Sequence, residues 1–247
     1  MGLETYLLLL TLAVLFFILL PLPLYLLGKF RKHPNLGIAV WLLALCLLSF
    51  CIAAALAIGI VSALTTYQSL AIRDSSSQTL AETLLFSLLP WALIGGTGIL
   101  IAIVSTRLEP LKREAEAVRE LYAGLGSQTG LFQGVRVLES PLTPAFALAT
   151  KFSGNPLILI SKGAKSALSE AELKAVLWHE WTHIKRGHLA INSIASRLAI
   201  AVPWSWFAQC MKHEVNLLAE LSADLKAIKM SSPAVLSSAK EKLNSLC

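Results

Sequence analysis

The apolar residues of this chain form three long stretches in its N-terminal half. Residues 6–27, 36–64 and 84–104 contain no charged side chain. Each stretch has at least the ~20 residues with which a helix crosses ~30 Å of hydrocarbon. The first stretch follows Glu4 rather than a basic segment, and it is too long for the core of a signal peptide. We therefore predict three transmembrane helices, of which the first is a retained anchor.

The pattern changes after the third stretch to short runs of β-branched and apolar residues. These runs are separated by Ser-Pro, Thr-Pro and Asn-Pro turns, as is typical of short strands. They predict a small sheet with a hairpin that turns at residues 153–156, and an exposed strand edge near residues 155–161. The predicted strands are Val135–Leu138, Phe146–Ala149 and Leu157–Ile160.

A helix is predicted to begin after Ser169. The Ser169 hydroxyl can cap the helix while Glu172 reaches back to the cap, which is the pattern of a capping box. Gly187 is a natural end for this helix. Its apolar residues recur at helical spacing, and they are Leu173, Val176, Leu177 and Ile184.

The apolar segment 189–210 resembles a fourth span but contains Arg197. A charge at the middle of a bilayer costs several kcal/mol unless it is paired or reaches the interface. We therefore predict a buried or membrane-leaning helix that is broken near Pro203. A last helix is expected from about residue 207 to residue 229, followed by a frayed serine-rich tail.

The predicted fold is therefore membrane α-helical, with a three-span transmembrane domain over residues 1–105. A mostly helical α+β domain with a small sheet follows over residues 106–247. The loop between the second and third spans has only Arg73 against two acids, whereas the other flanks are basic. By the positive-inside rule, the N-terminus lies outside and the C-terminal domain is cytoplasmic. The basic flanks are Lys29, Arg31 and Lys32 after the first span, and Arg107, Lys112, Arg113 and Arg119 after the third.

Composition agrees with a multi-pass protein of the cell membrane. Hydrophobic residues make up 55% of the chain and charged residues 15%, which excludes an ordinary soluble globule and a disordered chain. The net charge of +6 comes from clusters that flank the spans and suit anionic head groups. The lipid bilayer is thus the predicted partner, and nucleic acid is not.

The chemical signal is the sequence His179-Glu180-Trp181-Thr182-His183. Two histidines four residues apart on a helix project from one face and can bind one Zn²⁺ together. Glu180 then lies close to a zinc-bound water without binding the metal, so it can act as general base. The motif predicts a zinc metalloendopeptidase of the HExxH type.

A catalytic zinc needs a third protein ligand and an open position for water. Glu220 is the preferred third ligand, while His188, His213 and Glu214 remain competing candidates. Asp224 lies one turn after Glu220, where its carboxylate could accept a hydrogen bond from a ligand imidazole and set its tautomer. Since Glu220 must lie on the same side of the membrane as the histidines, segment 189–210 cannot span.

These residues resemble the integral-membrane zinc peptidases of the beta-lactam sensor and signal-transducer family. They are similar, more distantly, to the prenyl-protein and heat-shock membrane metalloproteases. The resemblance covers about residues 134–229 and rests on the run from Leu168 to Arg186, on Pro203-Trp204, and on Glu220-Leu221-Ser222-Ala223-Asp224. His188 stands where sensor members commonly carry an acid.

The resemblance implies a gluzincin-type cytoplasmic domain with one bound Zn²⁺. In such a domain His179, His183 and Glu220 are the metal ligands, Glu180 is the base, and Asp224 orients a ligand. The expected substrate is a cytoplasmic or membrane-proximal protein, cut for regulation or quality control. The substrate-binding residues and the oligomeric state stay unknown.

An alternative function is a non-catalytic, zinc-binding membrane sensor or scaffold protein. A closed structural zinc site has four protein ligands. His213 or His188 would have to supply the fourth ligand in that case.

Overall fold

The computed structural model describes residues 28–72, 95, 98–99, 102–110, 127–152 and 155–245. The chain forms two compact units. One contains Met1–Leu27 and Ala39–Arg107, and the other contains Gly28–Ile38 and Leu108–Cys247. The predicted domain boundary at residues 105 and 106 stays a prediction.

Helix α1, Pro34–Ile72, contains the predicted second span. Its first 18 residues, Pro34–Cys51, are long and apolar enough to cross a membrane, and they are the one such segment in the part of the chain that the structure describes. The predicted first span lies outside the described residues. Most of the third span does too, although residues 102–110 are helical. Three spans and their orientation therefore stay predictions.

Four strands form one mixed sheet in the second unit. They are β1 (Ser127–Phe132), β2 (Val135–Ser140), β3 (Ala147–Phe152) and β4 (Asn155–Ser161). The strand order is β1-β2-β4-β3, with β2 and β4 parallel and the other pairs antiparallel. The predicted sheet and hairpin are confirmed, because Phe152 pairs with Asn155, whereas β1 was not predicted.

The predicted exposed edge at residues 155–161 is wrong. Strand β4 is hydrogen-bonded to β2 on one side and to β3 on the other, so it is an interior strand. Leu157, Ile158, Leu159 and Ile160 are all buried, because both faces of this strand are covered. The edge strand on this side of the described sheet is β3.

Five helices follow the sheet: α2 (Lys162–Ala167), α3 (Glu170–Lys185), α4 (His188–Ala201), α5 (Trp206–Met230) and α6 (Pro233–Ser245). Helix α4 has 14 residues, fewer than a membrane span needs. The chain breaks at residues 202–205, as predicted near Pro203. Helix α3 packs against the sheet, and α4, α5 and α6 pack around α3.

The predicted frayed tail is also wrong, because residues 233–245 form helix α6. Leu236 and Ala239 are buried in the cores beside α3, and Pro233 occupies the first helical position. Serine has only an average preference for helices, and here tertiary packing outweighs it.

Candidate active site

Helix α3 carries both histidines of the motif and begins as predicted. The Ser169 side chain accepts from the backbone N–H of Glu172, and the Glu172 carboxylate accepts from the backbone N–H of Ser169 over 2.7 Å. This capping box satisfies helix donors that otherwise lack partners. His179 and His183 then project from one face, one turn apart, and both are buried.

Helix α5 brings Glu220 to this pair. The Nε2 atoms of His179 and His183 lie 3.2 Å apart. Glu220 oxygens lie 3.3 Å from Nε2 of His179 and 3.5 Å from Nε2 of His183. Ligands bound tetrahedrally at ~2.0–2.1 Å lie about 3.3 Å from one another, so the donor set fits a zinc ion. These three residues form the candidate metal site found among the described residues.

Glu180 lies next to the pair but makes a different contact. Its Oε2 atom accepts a hydrogen bond of 2.6 Å from the backbone N–H of Ala149 on strand β3. Burial raises the pKa of Glu180 to about 7, although the nearby charge of His179 and this hydrogen bond oppose the rise. A carboxyl group with such a pKa can both take and return a proton near neutral pH.

Asp224 stands one turn beyond Glu220 and faces the other nitrogen of His179. Its Oδ1 atom lies 2.9 Å from Nδ1 of His179, although the ring N–H does not point straight at that oxygen. Burial of the imidazole opposes protonation, but Asp224 and Glu220 together raise the pKa of His179 to about 9. In the neutral imidazole, which is the form that binds a metal, this contact would keep the proton on Nδ1 and leave Nε2 for the ion.

Helix α6 contacts Asp224 through Lys240. Lys240 donates to both Asp224 oxygens over 2.6 and 2.7 Å. Burial raises the pKa of Asp224, but the adjacent His179 and the hydrogen bonds from Lys240 outweigh this effect, so the pKa is lowered overall. Sequence reasoning misses Lys240, because it predicts a frayed tail where α6 positions this residue.

His188 plays a comparable part for the second histidine. It is 1% exposed, and its Nδ1 atom lies 3.3 Å from Nδ1 of His183. Burial and the nearby charge of His183 lower the pKa of His188 to about 4, so it is neutral at pH 7. A neutral Nδ1 can accept the N–H of His183 and leave Nε2 of His183 for a metal.

The other candidate ligands do not join the metal site. His188 contacts His183 from behind, His213 is exposed, and Glu214 is buried outside the group that could hold an ion. Of the four candidates for the third ligand, the structure brings Glu220 to the pair. A fourth ligand from His188 or His213, which the scaffold alternative needs, is not found among the described residues.

Comparison with known protein families agrees with this geometry. The profile of peptidase family M48 matches residues 105–239, which is more than half of the chain. The chain belongs to peptidase family M48. M48 is a family of zinc metalloproteases, so the protein is a metallopeptidase of the HExxH type. No curated protein matches the chain in a direct sequence comparison.

M48 membership confirms the expected class of enzyme. It does not confirm the beta-lactam sensor group, which stays a resemblance. Within the matched region, α3 supplies His179, Glu180 and His183, and α5 supplies Glu220 and Asp224.

Proposed function

We propose that this M48 peptidase is a membrane-anchored zinc endopeptidase that cuts a cytoplasmic or membrane-proximal protein. The convergence of His179, His183 and Glu220 at separations of 3.2–3.5 Å carries the proposal. Two imidazoles and one carboxylate, with a position left for water, are the ligand set of catalytic zinc in peptidases. When bound, zinc supplies Lewis acidity, which acidifies water and polarises a peptide carbonyl.

The chain's own residues then transfer the proton and orient the imidazoles. Glu180 takes a proton from the attacking water and returns it to the departing amine. Asp224 and His188 contact the Nδ1 atoms of the two imidazoles, so that both Nε2 atoms would be available to hold a metal ion. Neutral His188 is the form that can accept a hydrogen bond from the Nδ1–H of His183.

We place the substrate along strand β3 rather than β4. Strand β3 is the edge of the described sheet on the side of α3, and an extended peptide can add to such an edge through backbone hydrogen bonds. The N–H of Ala149 in this edge strand donates to the Glu180 carboxylate, so the edge and the proposed base are adjacent. Because backbone hydrogen bonds supply the affinity, this kind of recognition depends little on the substrate's sequence. Such low sequence specificity suits quality control or the cutting of a regulatory protein.

Membrane anchoring rests on α1 and on the charges that precede it. Lys29, Arg31 and Lys32 come just before the apolar segment Pro34–Cys51, as is typical of a cytoplasmic flank. We propose an N-terminus outside the cell and a protease domain in the cytoplasm. Fusions of alkaline phosphatase or a fluorescent protein to the C-terminus test this orientation: fluorescence without phosphatase activity supports it, and the reverse contradicts it.

The reaction is tested with the full-length chain in a non-ionic detergent and an unfolded protein as substrate. Wild-type protein should cleave it, a chelator should abolish cleavage, and zinc should restore it. Glu180→Gln should lower turnover by about 10²–10⁴-fold, the usual contribution of a general base, with zinc content unchanged. Zinc-loaded wild-type protein that does not cleave, or Glu180→Gln that cleaves equally well, contradicts the proposal. Glu241→Gln, an exposed carboxylate on α6, is the matched control.

A further inference from the structure

The domain has a basic pocket that none of the candidate metal ligands lines. It encloses a volume of about 240 Å³ between the start of α1, the end of α3 and the C-terminal half of α5. Three cationic side chains line it, and none pairs with a carboxylate in the described part of the chain. They are Arg186, Lys226 and Lys229.

The first turn of α1 adds further positive potential to this pocket. Pro34 and Asn35 line the cavity, and α1 is 39 residues long. Leu36 and Gly37 both donate to the carbonyl of His33. The N–H of Asn35 belongs to the first turn of the helix, whose N–H groups have no acceptor within the helix. The N-terminal end of a long helix attracts anions through such donors and through the helix dipole.

The pocket walls are held in place by specific contacts. Ser222, which is 3% exposed, donates to Oδ1 of Asn35 over 2.8 Å, so this oxygen already has a partner and the two N–H groups of the amide are its donors. A Cβ on Gly37 would lie 2.7 Å from Leu218, which shows how closely α1 approaches α5. Lys226 is fixed over the Trp178 ring with its Nζ 5.1 Å from the ring centre.

We propose that this pocket binds the phosphate of an anionic phospholipid head group. Arginine, lysine and helix N-terminal N–H groups are the donors that phosphate prefers. Pro34 and Asn35 are also the first two residues of the apolar segment that could enter a bilayer. Where that segment crosses hydrocarbon, the pocket lies at the level of the head groups, as basic pockets that bind anionic lipids do. Leu225, half exposed in the same lining, offers apolar surface to the lipid.

The test measures binding of three soluble probes to the full-length chain in non-ionic detergent by calorimetry. The probes are dihexanoylphosphatidylglycerol, dihexanoylphosphatidylcholine and inorganic phosphate. Phosphatidylglycerol should bind tightest, with an affinity that falls as salt rises. The pocket variant Lys226→Gln with Lys229→Gln should bind it at least tenfold more weakly. The control variant Lys162→Gln with Lys174→Gln removes the same charge from exposed sites and should bind normally.

Four results would overturn the proposal. They are no binding of phosphatidylglycerol, equal binding of phosphatidylcholine, an equal loss in the pocket and control variants, or inorganic phosphate binding as tightly as the lipid. The last result assigns the pocket to a free phosphate instead. Thermal unfolding of each variant, together with its cleavage of an unfolded substrate, verifies that the domain is folded. Arg186→Gln provides a second variant if the double variant does not fold.

Discussion

The carboxylate of Glu180 accepts a hydrogen bond from the backbone N–H of Ala149 over 2.6 Å. This bond connects the helix that carries both histidines to the edge strand of the sheet. One contact therefore positions the proposed base relative to strand β3, along which we place the substrate. A hydrogen bond to an ionised group contributes ~1.5–3 kcal/mol, enough to hold the orientation of a side chain.

Ala149→Pro removes this N–H from an edge strand, where proline is tolerated. We expect kcat to fall about tenfold to a hundredfold, because that is the kinetic equivalent of losing one such bond to Glu180. Zinc content, measured by mass spectrometry, should stay at the wild-type level. Lys151→Pro changes the same edge two residues along and should raise KM without lowering kcat. An unchanged kcat in Ala149→Pro would show that this bond does not position the base.

Asp224→Asn tests how His179 is oriented. The neutral amide cannot stabilise the N–H of the imidazole as the carboxylate does, and loss of such a partner usually costs 10–100-fold in metal affinity. We expect a rise of that size in the zinc dissociation constant, measured by competition with a fluorescent chelator. Lys240→Gln, which removes the ion pair on the other side of Asp224, should cause a smaller rise. If Asp224→Asn binds zinc with wild-type affinity, Asp224 does not contribute to metal binding.

His188 is expected to act through His183, and two replacements separate this role from simple packing. His188→Leu fills the space but leaves the N–H of His183 without an acceptor, so zinc affinity should fall at least about tenfold. His188→Asn provides an amide oxygen and should restore much of the affinity. If the two variants bind zinc equally well, the Nδ1 to Nδ1 contact of 3.3 Å has no function in metal binding.

The stability of the α3 N-terminus should depend on pH through Glu172. Hydrogen bonds from Lys242, Ser238 and Ser169 lower the pKa of this carboxyl group from 4.5 to about 2. Since the folded pKa is the lower one, the stabilisation is complete above pH about 4.5 and is lost as pH falls toward about 2. Glu172→Gln should therefore unfold at a lower temperature than wild type at pH 6.

The difference in Tm between wild type and Glu172→Gln should shrink as pH falls from about 4.5 to about 2. Thermal unfolding is measured with chelator in every sample, so that loss of metal at low pH does not enter the comparison. Glu241→Gln, at an exposed site on α6, should differ little from wild type over the whole range. A difference between Glu172→Gln and wild type that does not change with pH would contradict this role.

Several features were predictable because neighbouring residues decide them. The capping box of Ser169 and Glu172, the hairpin in which Phe152 pairs with Asn155 and the break near Pro203 all depend on short-range geometry. The shared face of His179 and His183 follows from the helical repeat alone. In the case of β4, four consecutive buried apolar residues are typical of a central strand, a signal that could have placed it in the interior.

The HExxH helix and its two imidazoles can be predicted from local spacing, because residues four apart lie on one face of any helix. Long-range packing sets which acid meets the imidazoles, which strand forms the sheet edge and which side chains contact the Nδ1 atoms. Glu220, Ala149, His188 and Lys240 reach the site through the packing of α4, α5, α6 and β3 around α3. Long-range packing is set by the combined burial of apolar faces, which no local spacing encodes.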